Sequence, residues 1–220
     1  MAKYMIHTCS KRKWYVQQYL VPSMLEQGIK KSDIRIYGDE KRLGNLRACI
    51  DSFRIIADKN GGTWHLQDDI IISSNFREAT ESEDKGIVCG FCNNYSKDML
   101  SGYRPVQDMW YSFPCIRIPN KIVAEFIDWF YSTNTQTKYK AYIEQGKYDD
   151  SLFRYFILDK HPDMYVYNIN PNIVDNIDYL IGGSIVNYQR SEKSDANSIY
   201  FEEHGLIEIL SEKLRASSLQ

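Results

Sequence analysis

The chain has 220 residues, of which 43% are hydrophobic and 25% charged, a balance typical of one globular domain. Its net charge of −2 provides no overall basic field that would attract nucleic acid or an anionic membrane. The basic run "CSKRKW" could still form a local basic patch. No segment approaches the roughly 18 apolar residues that span a bilayer. The N-terminus lacks the apolar centre of a signal peptide, so a cytoplasmic protein is expected.

The cysteines do not suggest a disulfide framework. Their number is odd and their spacing irregular, and the C-x-x-C pair of Cys89 and Cys92 has no second pair to complete a zinc site. A thioredoxin-like pair would open a helix, whereas "GIVCGF" reads as a strand running into the pair. Buried free thiols in a reducing compartment are therefore expected.

The first half of the chain alternates strand-like and helix-like segments. The stretches "KYMIHTC", "DIRIYGD" and "TWHLQDDIIIS" predict strands, and "KWYVQQYLVPSMLEQG" and "GNLRACIDSFRIIADKNGG" predict the two helices between them. A strand-helix-strand-helix-strand order implies a mostly parallel sheet with helices on its faces. The sequence therefore predicts an α/β fold with a mostly parallel central sheet flanked by helices.

The second half is mixed. The stretches "GIVCGFCN", "YSFPCIRIPN" and "MYVYNINPNIVDN" predict extended segments, the last of which leads into a loop. Helical spacing predicts helices in "NKIVAEFIDWFYS", in "YDDSLFRYFILDKHP" and in the closing "LIEILSEKLRAS". No repeat or long linker divides the chain, so residues 1–220 are expected to form a single domain.

Two adjacent carboxylates, Asp68 and Asp69, separate the apolar runs "TWHL" and "IIIS". Ligands of open parallel sheets bind at the carboxyl ends of the strands. Two carboxylates at such an end are natural ligands for Mg²⁺ or Mn²⁺, which prefer oxygen and often bridge to phosphates. The alternative is a strand that ends at Asp68, with both carboxylates exposed in a turn. Spacing alone does not separate these two interpretations.

The order of elements and the motif "HLQDDI" together resemble nucleotide-sugar glycosyltransferases of the GT-A fold. Gln67-Asp68-Asp69 is similar to a variant of their D-x-D motif. The resemblance implies that Asp69 binds the Mn²⁺ or Mg²⁺ that bridges the donor diphosphate, that Gln67 contacts the ribose, and that Asp68 belongs to the donor site. It also implies a Rossmann-like nucleotide-binding half (1–75) and an acceptor-binding and catalytic half (76–220).

The loop after the first strand resembles the part of these enzymes that holds the base and ribose. In "IHTCSKRK" this implies donor-binding roles for His7, Thr8 and Ser10. Lys11 and Arg47 are basic residues that are expected to stabilise the charge of the leaving diphosphate. The alternative for Arg47 is a solvated position on its helix.

The stretch "NPNIVDNIDYLIGGS" resembles a late segment in which a histidine binds metal or diphosphate. Asn176 holds that position here, and its side-chain oxygen suits a divalent ion less strongly than a charged or imidazole ligand. The glycine-rich end of the segment is expected to bind phosphate oxygens through backbone N–H groups. These donor-site residues are Gly182, Gly183 and Ser184.

"YDDSLF" resembles the acidic pair that begins a helix facing the acceptor. An inverting enzyme needs a carboxylate there as general base, for which Asp150 is the first choice and Asp149 the second, while the other caps the helix. A retaining enzyme would not need this base. The aromatic run in "MWYSFPCIRIP" is expected to stack on the acceptor, although at least one member is expected in the core. These residues are Trp110, Tyr111 and Phe113.

The chain is thus similar to compact transferases of bacteria and their phages. A UDP-sugar is the foremost expected donor, and the acceptor is a saccharide or a hydroxylated base in phage DNA. Two alternatives stay open. One is a nucleotidyltransferase, although "HTCSKRKW" lacks the glycine-rich phosphate loop usual after its first strand. The other is a sugar-nucleotide-binding module that has lost activity, which Gln67 and Asn176 keep in consideration. His65, His161 and His204 are interpreted as structural or surface residues.

Overall fold

The computed structural model of the chain describes residues 3–40, 43–57, 60–81, 86–91, 100–108, 113–146, 149–178 and 205–218. The strands are β1 (Tyr4–Cys9), β2 (Ile34–Asp39), β3 (Gly62–Gln67), β4 (Ile70–Ile72), β5 (Val88–Cys89), β6 (Gly102–Pro105), β7 (Cys115–Pro119), β8 (Tyr165–Asn168) and β9 (Val174–Asn176). The helices are α1 (Lys13–Tyr15), α2 (Val21–Glu26), α3 (Asn45–Arg54), α4 (Phe76–Thr80), α5 (Asn120–Tyr131), α6 (Thr133–Lys138), α7 (Lys140–Gln145), α8 (Asp149–Lys160) and α9 (Leu206–Ser218). A π-helical segment, Val16–Leu20, joins α1 to α2.

Seven strands of the described part form one sheet in the order β2-β1-β3-β7-β5-β8-β6. β1 is parallel to β2 and β3, and β5 is parallel to β8. β7 runs against β3 and β5, and β6 runs against β8. β2, β1, β3, β5 and β8 therefore share one direction. The predicted α/β class, with a mostly parallel central sheet flanked by helices, is confirmed.

Two apolar clusters cover the two faces of the sheet. On one face, Met5 of β1 packs in a cluster with Phe53, Phe126 and Phe153, which lie on α3, α5 and α8. On the other face, side chains of β1 and β3 pack against the segment from α1 to α2, against α4 and against α9. Successive side chains of a strand point to opposite faces, which explains why Met5 lies in one cluster and Ile6 in the other.

The stretch predicted as one strand over residues 63–73 is broken in the middle, which corrects the prediction. β3 ends at Gln67, Asp68 and Asp69 form a turn, and β4 begins at Ile70. β4 leaves the main sheet and pairs antiparallel with β9, with Ile70 opposite Asn176. Carboxylates are costly inside a buried ladder unless they are paired. The chain therefore turns at the two aspartates, and the isoleucines that follow are buried in a second, two-stranded sheet.

The other predicted elements of the first half are found close to their expected positions, and α5, α8 and α9 match the predicted helices of the second half. β5 is much shorter than its predicted run, and β9 lies where a loop was predicted. α4, β6, α6 and α7 were not predicted. Within the described ranges, no helix is long and apolar enough to cross a membrane.

Candidate functional site

The candidate site lies at the carboxyl edge of the parallel strands β1 and β3. These strands are in register through His7 and Gln67, so the loop after β1 and the turn after β3 leave the sheet side by side. The backbone N–H of Cys9 donates a hydrogen bond of 2.9 Å to Oδ2 of Asp68 and joins the two segments. Parallel pairing thus brings together residues that are about sixty positions apart in the chain.

A buried guanidinium lies among three carboxylates at this edge. Nη1 of Arg12 is 3.2 Å from Oδ1 of Asp68 and 3.3 Å from Oδ2 of Asp69, and Nη2 is 2.5 Å from Oδ2 of Asp178. Burial acts to lower the pKa of Arg12, but the three carboxylates outweigh it and raise that pKa. Burial raises the pKa of Asp68, which Arg12 opposes. Both aspartates are therefore in a turn, but they are paired instead of solvated.

The small second sheet holds Asp69 from the other side. Nδ2 of Asn176 donates a 3.0 Å hydrogen bond to Oδ2 of Asp69, while Oδ1 of Asn176 accepts one of 2.9 Å from the backbone N–H of Asp178. The backbone N–H of Ile177 also donates to the carbonyl oxygen of Asp69 at 2.7 Å. In this arrangement the side-chain nitrogen of Asn176 orients the carboxylate of Asp69. The role of Asn176 as a metal ligand stays a prediction.

The charges of this acidic cluster (Arg12, Asp68, Asp69 and Asp178) are compatible with a divalent cation. Three carboxylates contact the one guanidinium of Arg12 in a largely buried place. Oδ1 of Asp69 has no hydrogen-bond partner among the described residues. No group of three or more His, Cys, Asp or Glu side chains in those ranges forms a complete metal site. Mg²⁺ commonly binds one or two carboxylates and completes its coordination shell with water and substrate phosphates. Asp68 and Asp69 could provide those two carboxylates.

A second polar group lies next to the acidic cluster, where α3 and α8 begin. Nδ2 of Asn45 donates a 2.8 Å hydrogen bond to Oδ1 of Asp149, which is buried. The backbone joins the same two regions, since the N–H of Leu46 donates to the carbonyl oxygen of Gly146 at 3.0 Å. Burial, followed by the charge of Asp150, raises the pKa of Asp149 to about 7. Asp149 can therefore both accept and release a proton near neutral pH.

Asp150 has a different environment. Its Oδ1 atom accepts hydrogen bonds from the backbone N–H and the hydroxyl of Ser151, at 2.6 and 3.3 Å. Burial raises the pKa of Asp150, while the bonds from Ser151 lower it. The carboxylate of Asp150 is thus hydrogen-bonded within the first turn of α8, whereas Asp149 lines the narrow cavity described below. The geometry favours Asp149 over Asp150 as the group that reacts with a ligand.

Two histidines contact each other beside Asp149: His65, which is buried, and His7, which is half-buried. Nε2 of His7 is 3.4 Å from Nδ1 of His65, and the hydroxyl of Ser52 is 3.1 Å from Nδ1 and 3.3 Å from Nε2 of His7. Burial lowers the pKa of His7 to about 4, and burial together with His7 lowers the pKa of His65 well below its usual value. Both imidazoles are therefore neutral at pH 7.

A narrow cavity joins these groups between the sheet and the beginnings of α3 and α8. Its polar lining contains Asn45, Asp149 and Gln67 together with the two histidines. Its apolar lining is formed by Phe53 and Phe113, with Cys49 beside them. Phe113 is one of the predicted acceptor residues, and it packs in the core at 5.4 Å, centroid to centroid, from Phe153.

The other predicted donor residues occupy varied positions. Thr8 is buried and its hydroxyl donates to the carbonyl oxygen of Cys9, whereas Ser10 and Lys11 are exposed in the loop after β1. The guanidinium of Arg47 lies over the ring of Phe130, 5.5 Å from its centroid. Arg47 therefore packs against α5. The remaining predicted site residues lie outside the described residues: Trp110, Tyr111, Gly182, Gly183 and Ser184.

Several residues of the candidate site had no clear functional signal in the sequence. Arg12 was part of a noted basic run, and Asp178 lies two residues after Asn176, but no local pattern indicated that they would pair. The position of Asn45 as the first residue of α3 is only a weak indication that its side chain lies in a site. His65 alternates with Gln67 along β3, which indicates that both face the same side of the sheet.

No protein-family model matches the chain, and no curated protein is similar to it in sequence. Any statement about its function therefore depends on its own residues. The features that bear on function are the acidic cluster around Arg12 and the adjoining cavity that contains Asp149 and His65.

Proposed function

We propose that the chain is a glycosyltransferase that moves a sugar from a nucleotide-diphosphate sugar, foremost a UDP-sugar, to an acceptor hydroxyl. The observation that carries this proposal is the turn of Asp68 and Asp69 at the carboxyl end of β3, which Arg12 holds against the loop after β1. This edge is where open parallel sheets bind ligands. The similarity of "HLQDDI" to the acidic motif of GT-A transferases supports the same reaction class.

In this proposal Asp69 holds Mn²⁺ or Mg²⁺, with Asn176 and Asp68 beside it. The three carboxylates of the acidic cluster, and Oδ1 of Asp69, which has no hydrogen-bond partner among the described residues, support this assignment. When bound, the ion would supply positive charge to the leaving diphosphate. Lys11, exposed in the adjacent loop, is the side chain proposed to contact the diphosphate directly.

Asp149 is the proposed general base for an inverting reaction. A base with a pKa near the working pH combines a useful ionised fraction with sufficient proton affinity, and the pKa of Asp149 is raised to about 7. The side chain of Asn45 donates a hydrogen bond to one carboxyl oxygen of Asp149. Asp150 stays the alternative, since it lies in the same helical turn.

The acceptor is proposed to be a saccharide or a hydroxylated base of nucleic acid, as in compact bacterial or phage transferases. The chain has no overall basic charge that would favour the nucleic acid. The four described cysteines are free thiols, which supports the proposal of a reducing, cytoplasmic location.

The test is the thermal stability of the chain with UDP, GDP, CDP and dTDP, each measured with Mn²⁺ and with EDTA. A ligand that binds only the folded state raises Tm, by about 5–10 °C when its concentration is about a hundredfold above Kd. We expect such a shift from at least one diphosphate, with Mn²⁺ only, and its loss in Asp69→Asn. Asp163→Asn is the matched control, because Asp163 is exposed in the turn after α8.

Release of free diphosphate from UDP-sugars separates the remaining alternatives. A transferase releases UDP slowly even when water is the acceptor. A nucleotidyltransferase releases no UDP from a UDP-sugar and forms pyrophosphate only when a nucleoside triphosphate and a sugar phosphate are supplied, and an inactive module shows the Tm shift without product. No Tm shift from any diphosphate, or an equal shift in EDTA and in Asp69→Asn, would contradict the proposal.

A further inference from the structure

His65 lines the narrow cavity, and one nitrogen of its buried ring lacks a partner within the described ranges. Only 2% of the residue is exposed, and its Nε2 atom makes no hydrogen bond there. Nearly all buried polar side-chain atoms in proteins are hydrogen-bonded to protein or to ordered water, because an unsatisfied one is costly. The lone nitrogen therefore indicates a further group in the cavity.

The hydrogen bonds on the other side of the ring show that this nitrogen is an acceptor. The hydroxyl of Ser52 donates its hydrogen to the carbonyl oxygen of Cys49 at 2.7 Å, so its oxygen accepts from the nearer nitrogen of His7, Nδ1. His7 is neutral, which leaves its Nε2 able to accept from Nδ1 of His65. A neutral imidazole has one N–H. Nε2 of His65 is consequently bare, and its partner is a donor.

The size of the cavity limits that donor to a very small molecule. The cavity has room for about one water molecule. A buried water typically makes about three hydrogen bonds. Here it can donate one hydrogen to Nε2 of His65 and the other to the carboxyl group of Asp149, which lines the same cavity. The side-chain amides of Asn45 and Gln67, also in the lining, can donate to its oxygen.

We propose that one water molecule occupies this cavity and joins Nε2 of His65 to the carboxyl group of Asp149. His65 is then a positioning residue, because its lone pair takes one hydrogen of the water and directs the other toward Asp149. Together with the hydrogen bond from Asn45, this contact fixes the carboxyl group from two sides. The catalytic meaning of the water rests on the proposed function, in which Asp149 is the general base, whereas the water bridge itself does not.

The bridge has a measurable effect on Asp149. The titratable groups that act on its carboxyl group or line the cavity with it are Asp150, Asp69, Cys49, His7 and His65. The two aspartates raise the pKa of Asp149, while the thiol and both imidazoles are neutral at pH 7. A hydrogen bond donated to a carboxylate favours the ionised form and acts in the opposite direction. Loss of the water should therefore raise the pKa of Asp149 further.

The test is the pKa of Asp149 in the whole chain, measured in EDTA and without nucleotide by NMR titration of its carboxyl ¹³C signal. His65→Phe keeps an aromatic ring but removes the acceptor that orients the water. We expect it to raise this pKa by about one pH unit, the value of one hydrogen bond to a charged group. His65→Gln offers an acceptor oxygen again and should restore at least about half of the difference.

Two measurements on wild type apply even if His65→Phe folds poorly. Imidazole ¹⁵N spectra should show His65 protonated at Nδ1 and bare at Nε2. Nuclear Overhauser contacts should connect a long-lived water molecule to the ring hydrogen of His65 beside Nε2. His161→Gln is the matched control for the titration, because His161 bonds Glu125 away from the cavity and its loss should leave the pKa of Asp149 unchanged.

Each outcome has a definite meaning. A His65 ring protonated at Nε2, the lack of a long-lived water beside it, or an unchanged pKa of Asp149 in His65→Phe would overturn the inference. An equal rise of that pKa in His65→Phe and His65→Gln would assign the effect to the polarity of the ring and would overturn it as well. These readouts involve no nucleotide, so a failure of every diphosphate to bind would reject the proposed function and leave the water bridge standing.

Discussion

At the scale of the residue, Arg12 has the largest influence on the candidate site. Its guanidinium is the one described cation in contact with Asp68, Asp69 and Asp178, and it joins segments 166 positions apart in the chain. A buried ion pair is not automatically stabilising, because both partners lose water on folding. Removing one partner is nevertheless costly, since the buried charges that stay behind are uncompensated.

We therefore expect Arg12→Met to destabilise the fold by about 3–5 kcal/mol, although the methionine preserves most of the aliphatic stem. The measurement is urea unfolding followed by circular dichroism. Lys140→Ala is the control, because Lys140 and Glu144 form an exposed pair and such pairs contribute little. A variant as stable as wild type would show that the acidic cluster does not depend on Arg12.

The buried carboxyl group of Asp149 makes stability depend on pH. Its pKa is about 7 in the folded chain and about 3.9 in an unfolded one. The folded state then binds more protons between these values, so wild-type stability falls as pH rises from about 4 to about 7, by up to about 1.4 kcal/mol per pH unit. Asp149→Asn lacks this titration.

The expected result is that Asp149→Asn gains stability relative to wild type across that window, with a constant difference above pH 7. Urea unfolding of both proteins at intervals between pH 4 and pH 8 provides the comparison. Parallel curves over the whole range would contradict a raised pKa for Asp149, and with it the choice of Asp149 over Asp150 as the general base.

At the scale of the element, periodicity and end signals predicted much of the secondary structure. The amphipathic helices α3 and α5 were predicted because their apolar residues recur at three- and four-residue spacing, and α8 was predicted from its start near Asp149 and its end before Pro162. The two apolar runs on either side of Asp68 and Asp69 were less informative, since a single long strand and two short strands would have the same sequence pattern. Only the partners of the two halves distinguish them: β3 pairs with β1 and β7, and β4 pairs with β9.

The start of α3 depends on Gly44. Its φ of 83° and ψ of 164° lie in a region that is essentially restricted to glycine. Its conformation starts the helix at Asn45, which holds Asp149. Gly44→Ala should therefore lower the free energy of unfolding by about 1–3 kcal/mol, because alanine rarely adopts this backbone conformation. Steric overlap adds little, since an added Cβ would make only an ordinary contact with the carbonyl oxygen of Gly146.

Urea unfolding measures this cost, and Gly102→Ala is the matched control. Gly102 has no positive φ, and a Cβ added there would meet nothing within 4 Å. We expect Gly44→Ala to be clearly less stable than Gly102→Ala. Equal stability of the two variants would show that the turn before α3 tolerates an ordinary residue.

At the scale of the whole molecule, the described part of the sheet links both halves of the chain. β7, from the second half, pairs antiparallel with β3 and continues the sheet from the first half. The loop after β1, the turn after β3 and the start of α8 consequently meet at one edge. A nucleotide-binding half and an acceptor-binding half would share this edge, which is consistent with the proposed transfer between two substrates.

The sequence by itself determined the α/β class, the parallel arrangement of the first three strands and the presence of an acidic pair at a strand end. These properties depend on local periodicity and on the rule that short strand-helix-strand connections produce parallel neighbours. The tertiary structure decided which charges pair. It placed Arg12 among three aspartates, Asn45 on Asp149, and His65 beside His7. Those contacts join residues between 56 and 166 positions apart, and nothing local in the chain encodes which of several similar side chains will meet.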